Sequence, residues 1–149
     1  MASVIKNQFF FPHPPETVWE YLTKSELMEL WLMRNNFQPI AGIDFQFRTN
    51  PLPSLDFDGI CHCRVLEVLP FKRLSYSWKC GPGEGRFTLD SVVVWRLEPT
   101  GNGTELFLEH SFSKNENVNL FNGFADGWIK HIKRIAESIN TSQHGNTKA

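Results

Sequence analysis

Leu120–Ile139 reads LFNGFADGWIKHIKRIAESI. Within it Phe121, Phe124, Trp128, Ile132, Ile135 and Ile139 recur at spacings of three and four. That rhythm lays one apolar stripe along a helix of 3.6 residues per turn. A helix of this length extends for about 30 Å, and a stripe that long has to be covered. The stretch preceding it supplies the cover.

From residue 42 to residue 112 the pattern changes to period two. Gly42–Arg48, Gly59–Leu69, Arg73–Lys79, Arg86–Glu98 and Thr104–Phe112 read as strands. Their separators are rich in turn formers: TNPLPS, Pro70-Phe71, GPGEG and PTGNG. Strands joined by connections this short form an antiparallel sheet. Alternation then assigns the faces. Ile43, Phe45 and Phe47 share one side of the first strand, and Leu74, Tyr76 and Trp78 share a side of the third. Val93, Trp95 and Leu97 share a side of the fourth, and Leu106, Leu108, His110 and Phe112 a side of the last. The opposite positions hold Asp44, Arg48, Arg96, Glu98 and Glu109, which belong in water. The apolar side of such a sheet covers the stripe of the final helix.

Upstream, Val4–Phe11 is β-branched and aromatic and reads as a strand halted by Pro12. Pro14-Pro15-Glu16-Thr17 opens a helix, since proline fits a first turn and Glu16 suits the positive helix end. Ser25 is placed to cap a second helix, Glu26–Met33. In that helix Leu27, Leu30 and Trp31 form a core stripe. Met28 and Leu32 fall outside the stripe and require another apolar neighbour. A cavity lid, a partner surface, a dimer mate or the protein's own following loop would each serve. The order is therefore β-α-α-β-β-β-β-β-α, an α+β layout in which a curved antiparallel sheet wraps a long C-terminal helix. Residues 1–139 read as a single domain. Residues 140–149, NTSQHGNTKA, lack apolar anchors and read as a disordered tail.

The composition excludes several classes. Fifteen Lys+Arg against sixteen Asp+Glu give a net charge of −1 over 149 residues, without the concentrated basic face a nucleic-acid binder needs. No apolar run is long enough to span a bilayer, and the amino-terminal burst of three Phe is too short for a secretory signal. Three cysteines, an odd number, point to reduced thiols and a cytoplasmic location. Cys61-His62-Cys63 would split its ligands between two faces of a strand, and no second ligand pair follows, so no metal or other cofactor is expected. There is no G-x-S-x-G, H-E-x-x-H, Walker sequence or strand-linked G-x-G-x-x-G, and no catalytic residue is assigned. The unusual number is the aromatic count: 13 Phe, 5 Trp and 2 Tyr.

Those rings converge. Phe45, Phe47, Tyr76, Trp78, Trp95 and His110 of the inner face stand opposite Phe124 and Trp128 of the helix, with Trp31 nearby. One reading is an aromatic core. Another is a pocket with apolar walls and a few convergent polar groups. His110 is a satisfied core histidine, a ligand-orienting group or an acid–base catalyst. The loop Thr49–Asp58, with Leu52 and Leu55, and the glycine-rich tip Gly81–Gly85 are the candidate moving parts.

Several segments in their order carry a resemblance. They are Pro14-Pro15-Glu16-Thr17-Val18-Trp19, Leu30-Trp31, Gly42 with Phe45, Leu66-Glu67-Val68-Leu69-Pro70 and Arg73-Leu74-Ser75-Tyr76-Ser77-Trp78. Gly103-Thr104-Glu105-Leu106 with His110, and Gly127-Trp128, complete the set. Over nearly all of residues 4–139 the chain resembles the activators of heat-shock-protein-90 ATPase of the C-terminal-domain type, within the START-like, or SRPBCC, superfamily. The resemblance implies the helix-grip fold and a deep, mainly hydrophobic cavity between sheet and helix. Members of the superfamily bind lipids, hormones or polyketides, and some catalyse cyclisation or hydrolysis. The family name also brings a stress response into view. Ala41-Gly42 departs from the paired glycines frequent in the family, and the extra amino-terminal domain of the eukaryotic co-chaperones has no counterpart here, so ATPase activation is not implied.

Three functions follow as expectations. The first is a cytoplasmic binding protein, monomer or homodimer, holding a hydrophobic or aromatic small molecule among Trp31, Phe45, Phe47, Tyr76, Trp78, Trp95, His110, Phe124 and Trp128. The second is a chaperone-associated protein that docks through Met28 and Leu32. The third is a cyclase- or hydrolase-like enzyme using the same cavity, with His110 as its titratable group.

Overall fold

The computed structural model describes residues 3–147. In chain order the elements are β1 (Ser3–Phe11), α1 (Pro15–Thr23), α2 (Ser25–Trp31), β2 (Arg34–Asn35), β3 (Asp44–Arg48), β4 (Ile60–Leu69), β5 (Arg73–Cys80), β6 (Leu89–Thr100), β7 (Gly103–Asn115) and α3 (Val118–Thr147). All seven strands form one sheet in the order β1-β7-β6-β5-β4-β3-β2, and every pairing is antiparallel. Six of these strands, β2 to β7, each pair with the next in sequence. The exception is β1, which crosses to the far edge beside β7, carrying α1 and α2 over one end of the sheet. The α+β helix-grip layout read from the sequence is the observed one.

The face assignment also holds. Leu74, Tyr76 and Trp78, Val93 and Trp95, and Phe47 are fully buried, and His110 is equally closed off. Asp44, Arg48, Glu98 and Glu109 face water. The stripe of α3 lies over this concave side: Trp128, Ile132, Ile135 and Ile139 are buried, and Phe121 and Phe124 half-buried. Among the described residues no helix is long and apolar enough to cross a membrane.

Three local readings differ from the structure. Ser25 is the first residue of α2, not its cap; its hydroxyl donates to the Asn35 carbonyl oxygen at 2.9 Å. Leu30 is 57% exposed, whereas Met28 is fully buried. The short helix is rotated so that Met28 and Trp31, three apart, form its inner side. The neighbour Met28 requires is the protein's own core. The two-residue strand β2 was not predicted, being too short to show a period. Helix α3 runs to Thr147, and residues 148–149 of the stretch read as a tail lie outside the described residues. His131 of α3 donates its Nδ1–H to the Trp31 carbonyl oxygen at 2.8 Å, satisfying one of the carbonyls a helix end leaves unpaired and locking α2 to α3.

One glycine is conformationally required at the mouth of the grip. Gly59 has φ +87°, and a β-carbon there would lie 2.4 Å from the Thr49 carbonyl oxygen. Gly59→Ala is expected to cost about 1–3 kcal/mol through strain that neighbouring backbone cannot relieve. Urea denaturation checks this, and an unchanged midpoint contradicts it.

Candidate functional site

The concave side of β5, β6 and β7 brings Tyr76, Trp78, Trp95 and His110 together because each occupies an inward position of an extended strand. Register does the rest: Trp78 pairs with Ser91, Val93 with His110 and Tyr76 with Val93. Trp128 descends from α3 into their midst. Its ring centroid lies 5.7 Å from that of Trp78, 5.5 Å from Trp95 and 5.8 Å from His110. Phe47 packs 5.0 Å from Trp78, Phe45 5.3 Å from Tyr76, and Trp31 5.8 Å from Trp95. These are ordinary ring-packing separations. All nine predicted lining residues thus belong to one ring cluster. Leu32 is half-buried beside it, while Met28 offers no exposed surface.

The polar atoms of the cluster serve one another. The Trp128 indole N–H donates to His110 Nδ1 at 3.0 Å. An accepting Nδ1 puts the ring proton on Nε2, which faces Ser91 Oγ at 2.8 Å. Ser91 in turn donates to the Trp78 carbonyl oxygen at 2.7 Å. The Trp95 indole donates to the Tyr76 hydroxyl at 2.9 Å, the Trp31 indole to the Tyr21 carbonyl oxygen at 2.8 Å, and the Trp78 indole to Cys80 Sγ at 3.0 Å. No interior indole is left wanting a partner.

Electrically the site is neutral. Burial pulls the His110 pKa down to about 3. Burial also pushes the Tyr76 phenol and the Cys61 and Cys63 thiols well above their ordinary values. Each ionised form would lose its hydration without gaining a countercharge. Both nitrogens of His110 are occupied, so in this arrangement it is not poised for proton transfer. Along β4 the Cys61 and Cys63 thiols point inward and the His62 ring lies on the outer side. No cluster of three or more metal-ligating side chains occurs among the described residues.

The end of the grip near the start of α3 is where the interior meets solvent. Phe124 is half-buried. Its ring lies 5.6 Å from Trp78 and 6.4 Å from His110 on the inner side, and 6.4 Å from Phe57 on the outer. Phe57 terminates the loop after β3, which makes one 3-10 turn at Pro53–Leu55 and a bridge between Leu52 and Phe57. Asn117, just before α3, donates its side-chain amide to the Leu55 carbonyl oxygen at 2.7 Å. The loop, expected to move, is here latched over Phe124. Two open depressions, of about 770 and 470 Å³, lie on the other face of the sheet: one among Asp44, His62 and Arg64, the other among Arg73, Arg96 and Glu109.

Sequence reasoning missed Ser91, Phe57 and Asn117. Extending the alternation Val93-Trp95-Leu97 back by two reaches Ser91, and the burial of β6 alternates unbroken through it; a small polar residue at an inward position was the available signal. Nothing in the sequence pattern marks the Asn117 latch, a contact across 62 residues.

A family model described as activator of Hsp90 ATPase homolog 1-like protein matches residues 12–140. Protein MLL2253 from Mesorhizobium loti is 33% identical, with a TM-score of 0.79 over 95% of this chain and 98% of that one. CalU16 from Micromonospora echinospora is 21% identical, with a TM-score of 0.67 over 96% of this chain and 78% of that one. The Aha1 dimer from Colwellia psychrerythraea is 16% identical, with a TM-score of 0.73 over 92% of this chain and 96% of that one. The last two likenesses concern the fold alone. The sequence has no match among curated proteins.

Proposed function

From the premise that this chain belongs to the activator of Hsp90 ATPase homolog 1-like protein family, we propose that it binds an uncharged, apolar or aromatic small molecule between the sheet and α3. Membership supports a small ligand-binding protein. The observation that carries the finer reading is Phe124. It touches solvent on one side and the Trp78–His110 pair on the other, beneath a loop tied down by the Asn117 amide at Leu55, by the Asp58 N–H to the Gly81 carbonyl oxygen and by buried Phe57.

The guest class follows from the chemistry of the walls. With every interior indole already partnered and His110 neutral, the site offers no cation for an anion and no carboxylate for a cation; the Tyr76 hydroxyl, which accepts from the Trp95 indole, keeps its own proton to donate to a neutral guest. Recognition rests on apolar surface and ring stacking, worth about 25 cal/mol per Å² buried. Since the rings are in contact, a guest takes the place of Phe124 and Phe57 as the loop lifts. A chaperone-docking role through Met28 would first have to expose a side chain that lies in the core.

Thermal denaturation with 2-naphthol or 1-decanol tests this reading. A guest at one hundred times its Kd stabilises by about 2.7 kcal/mol, raising the midpoint by about 5–10 °C for a chain of this size. Phe124→Trp, a larger plug in the mouth, is expected to weaken binding about tenfold, or about 1.4 kcal/mol. An unshifted midpoint with both probes, or equal shifts in both proteins, contradicts the proposal.

A further inference from the structure

We propose that Cys61 and Cys80 form a dithiol couple that a small peroxide oxidises to a cross-strand disulfide in the wall of the grip. The two residues lie on neighbouring strands. The pairing of His62 with Lys79 sets them opposite one another one step along, and their sulfurs are 3.2 Å apart. Opposed residues of an antiparallel pair have Cα atoms about 4.5–5.5 Å apart, inside the range of about 4.4–6.8 Å that a disulfide spans. Joining them requires no strand to move. Cys63, on the same face, instead turns its thiol to the Cys61 carbonyl oxygen at 3.7 Å, which leaves Cys80 as the sulfur partner of Cys61.

All three thiols are buried, and burial holds the Cys61 thiol in its protonated form. Reaction therefore waits on local opening and favours a small oxidant. The opening segment is the hairpin tip that begins at Gly81, directly after Cys80. Gly83, Glu84 and Gly85 all have positive φ there, and Glu84, Gly85 and Arg86 are exposed. In the first step one thiol, deprotonated on opening, attacks a peroxide oxygen. The O–O bond breaks, a sulfenic acid forms, and the released hydroxide takes up a proton as water. The second sulfur then attacks the sulfenic sulfur, the S–O bond breaks, and a second water leaves with the remaining thiol proton. Two thiols give up two electrons and two protons, and hydrogen peroxide is reduced to two waters. Because Cys80 Sγ accepts the Trp78 indole N–H, oxidation alters the support of the central ring.

The folded protein is treated with hydrogen peroxide, alkylated and digested, with intact mass measured before and after dithiothreitol. The expected result is a mass loss of about two hydrogens, two of the three thiols protected from alkylation, a peptide link between Cys61 and Cys80, and full reversal by dithiothreitol. Cys63→Ala forms the same link, while Cys61→Ala and Cys80→Ala form none. If either of those two fails to fold, the wild-type and Cys63→Ala maps decide the question. Three free thiols after treatment, a link to Cys63, or a link formed only in urea overturns the proposal.

Discussion

Trp128→Ala is expected to destabilise the protein by about 3–5 kcal/mol, the range for removing a buried tryptophan. The indole is 2% exposed and stands against Trp78, Trp95 and His110 at once. Truncation opens a void among rings held by their own strands and unable to follow it inward. It also strips His110 Nδ1 of its donor, adding the cost of an unpaired buried acceptor. Urea denaturation should show a lower midpoint with the slope preserved, and Trp128→Phe should lose distinctly less. A loss below about 1 kcal/mol for the alanine variant would mean that α3 is not clamped to the sheet at this point.

Acid should destabilise the fold through His110. In the unfolded chain its pKa is near 6.5, and in the folded protein about 3. Between those values the unfolded state binds the extra proton, so stability rises with pH. The contribution of neutral His110 is fully present above about pH 6.5 and is lost as pH falls toward 3. The slope approaches about 1.4 kcal/mol per pH unit, giving about 2 kcal/mol between pH 7 and pH 5. His131, whose pKa burial also lowers, contributes in the same direction, so the decisive quantity is a difference. His110→Gln should start less stable yet show a shallower dependence over pH 4–6. Parallel curves would show that His110 is protonated in the folded state without penalty.

How much of this was legible depended on the range of the physics. The strand faces were readable because a period of two sorts Trp78 from Lys79 and His110 from Glu109 with no knowledge of neighbours. The stripe of α3 was readable for the same reason, over five turns. Short elements failed: α2 has seven residues, too few for Leu30 and Met28 to be told apart by period, and tertiary contact with α3 set its rotation. Ser25 looks like a cap, but the carbonyl of Asn35, ten residues on, competes for its hydroxyl. The ring cluster could be located from sequence, whereas its closure could not. Whether Trp78, Trp95 and Trp128 meet depends on complementary volume, and the network joining Trp128, His110 and Ser91 depends on how α3 is seated over β6 and β7, which no period encodes.

The indole N–H resonances of the five tryptophans offer the most direct test of the binding account, read by nitrogen-15 NMR during titration with 2-naphthol. The account predicts saturable shifts at Trp78 and Trp128 with one equivalent bound, while Trp19, which packs against Phe71 away from the ring cluster, stays in place. If the interior indoles are unmoved while amides of the outer face of the sheet respond, the guest does not enter the grip and the account is wrong.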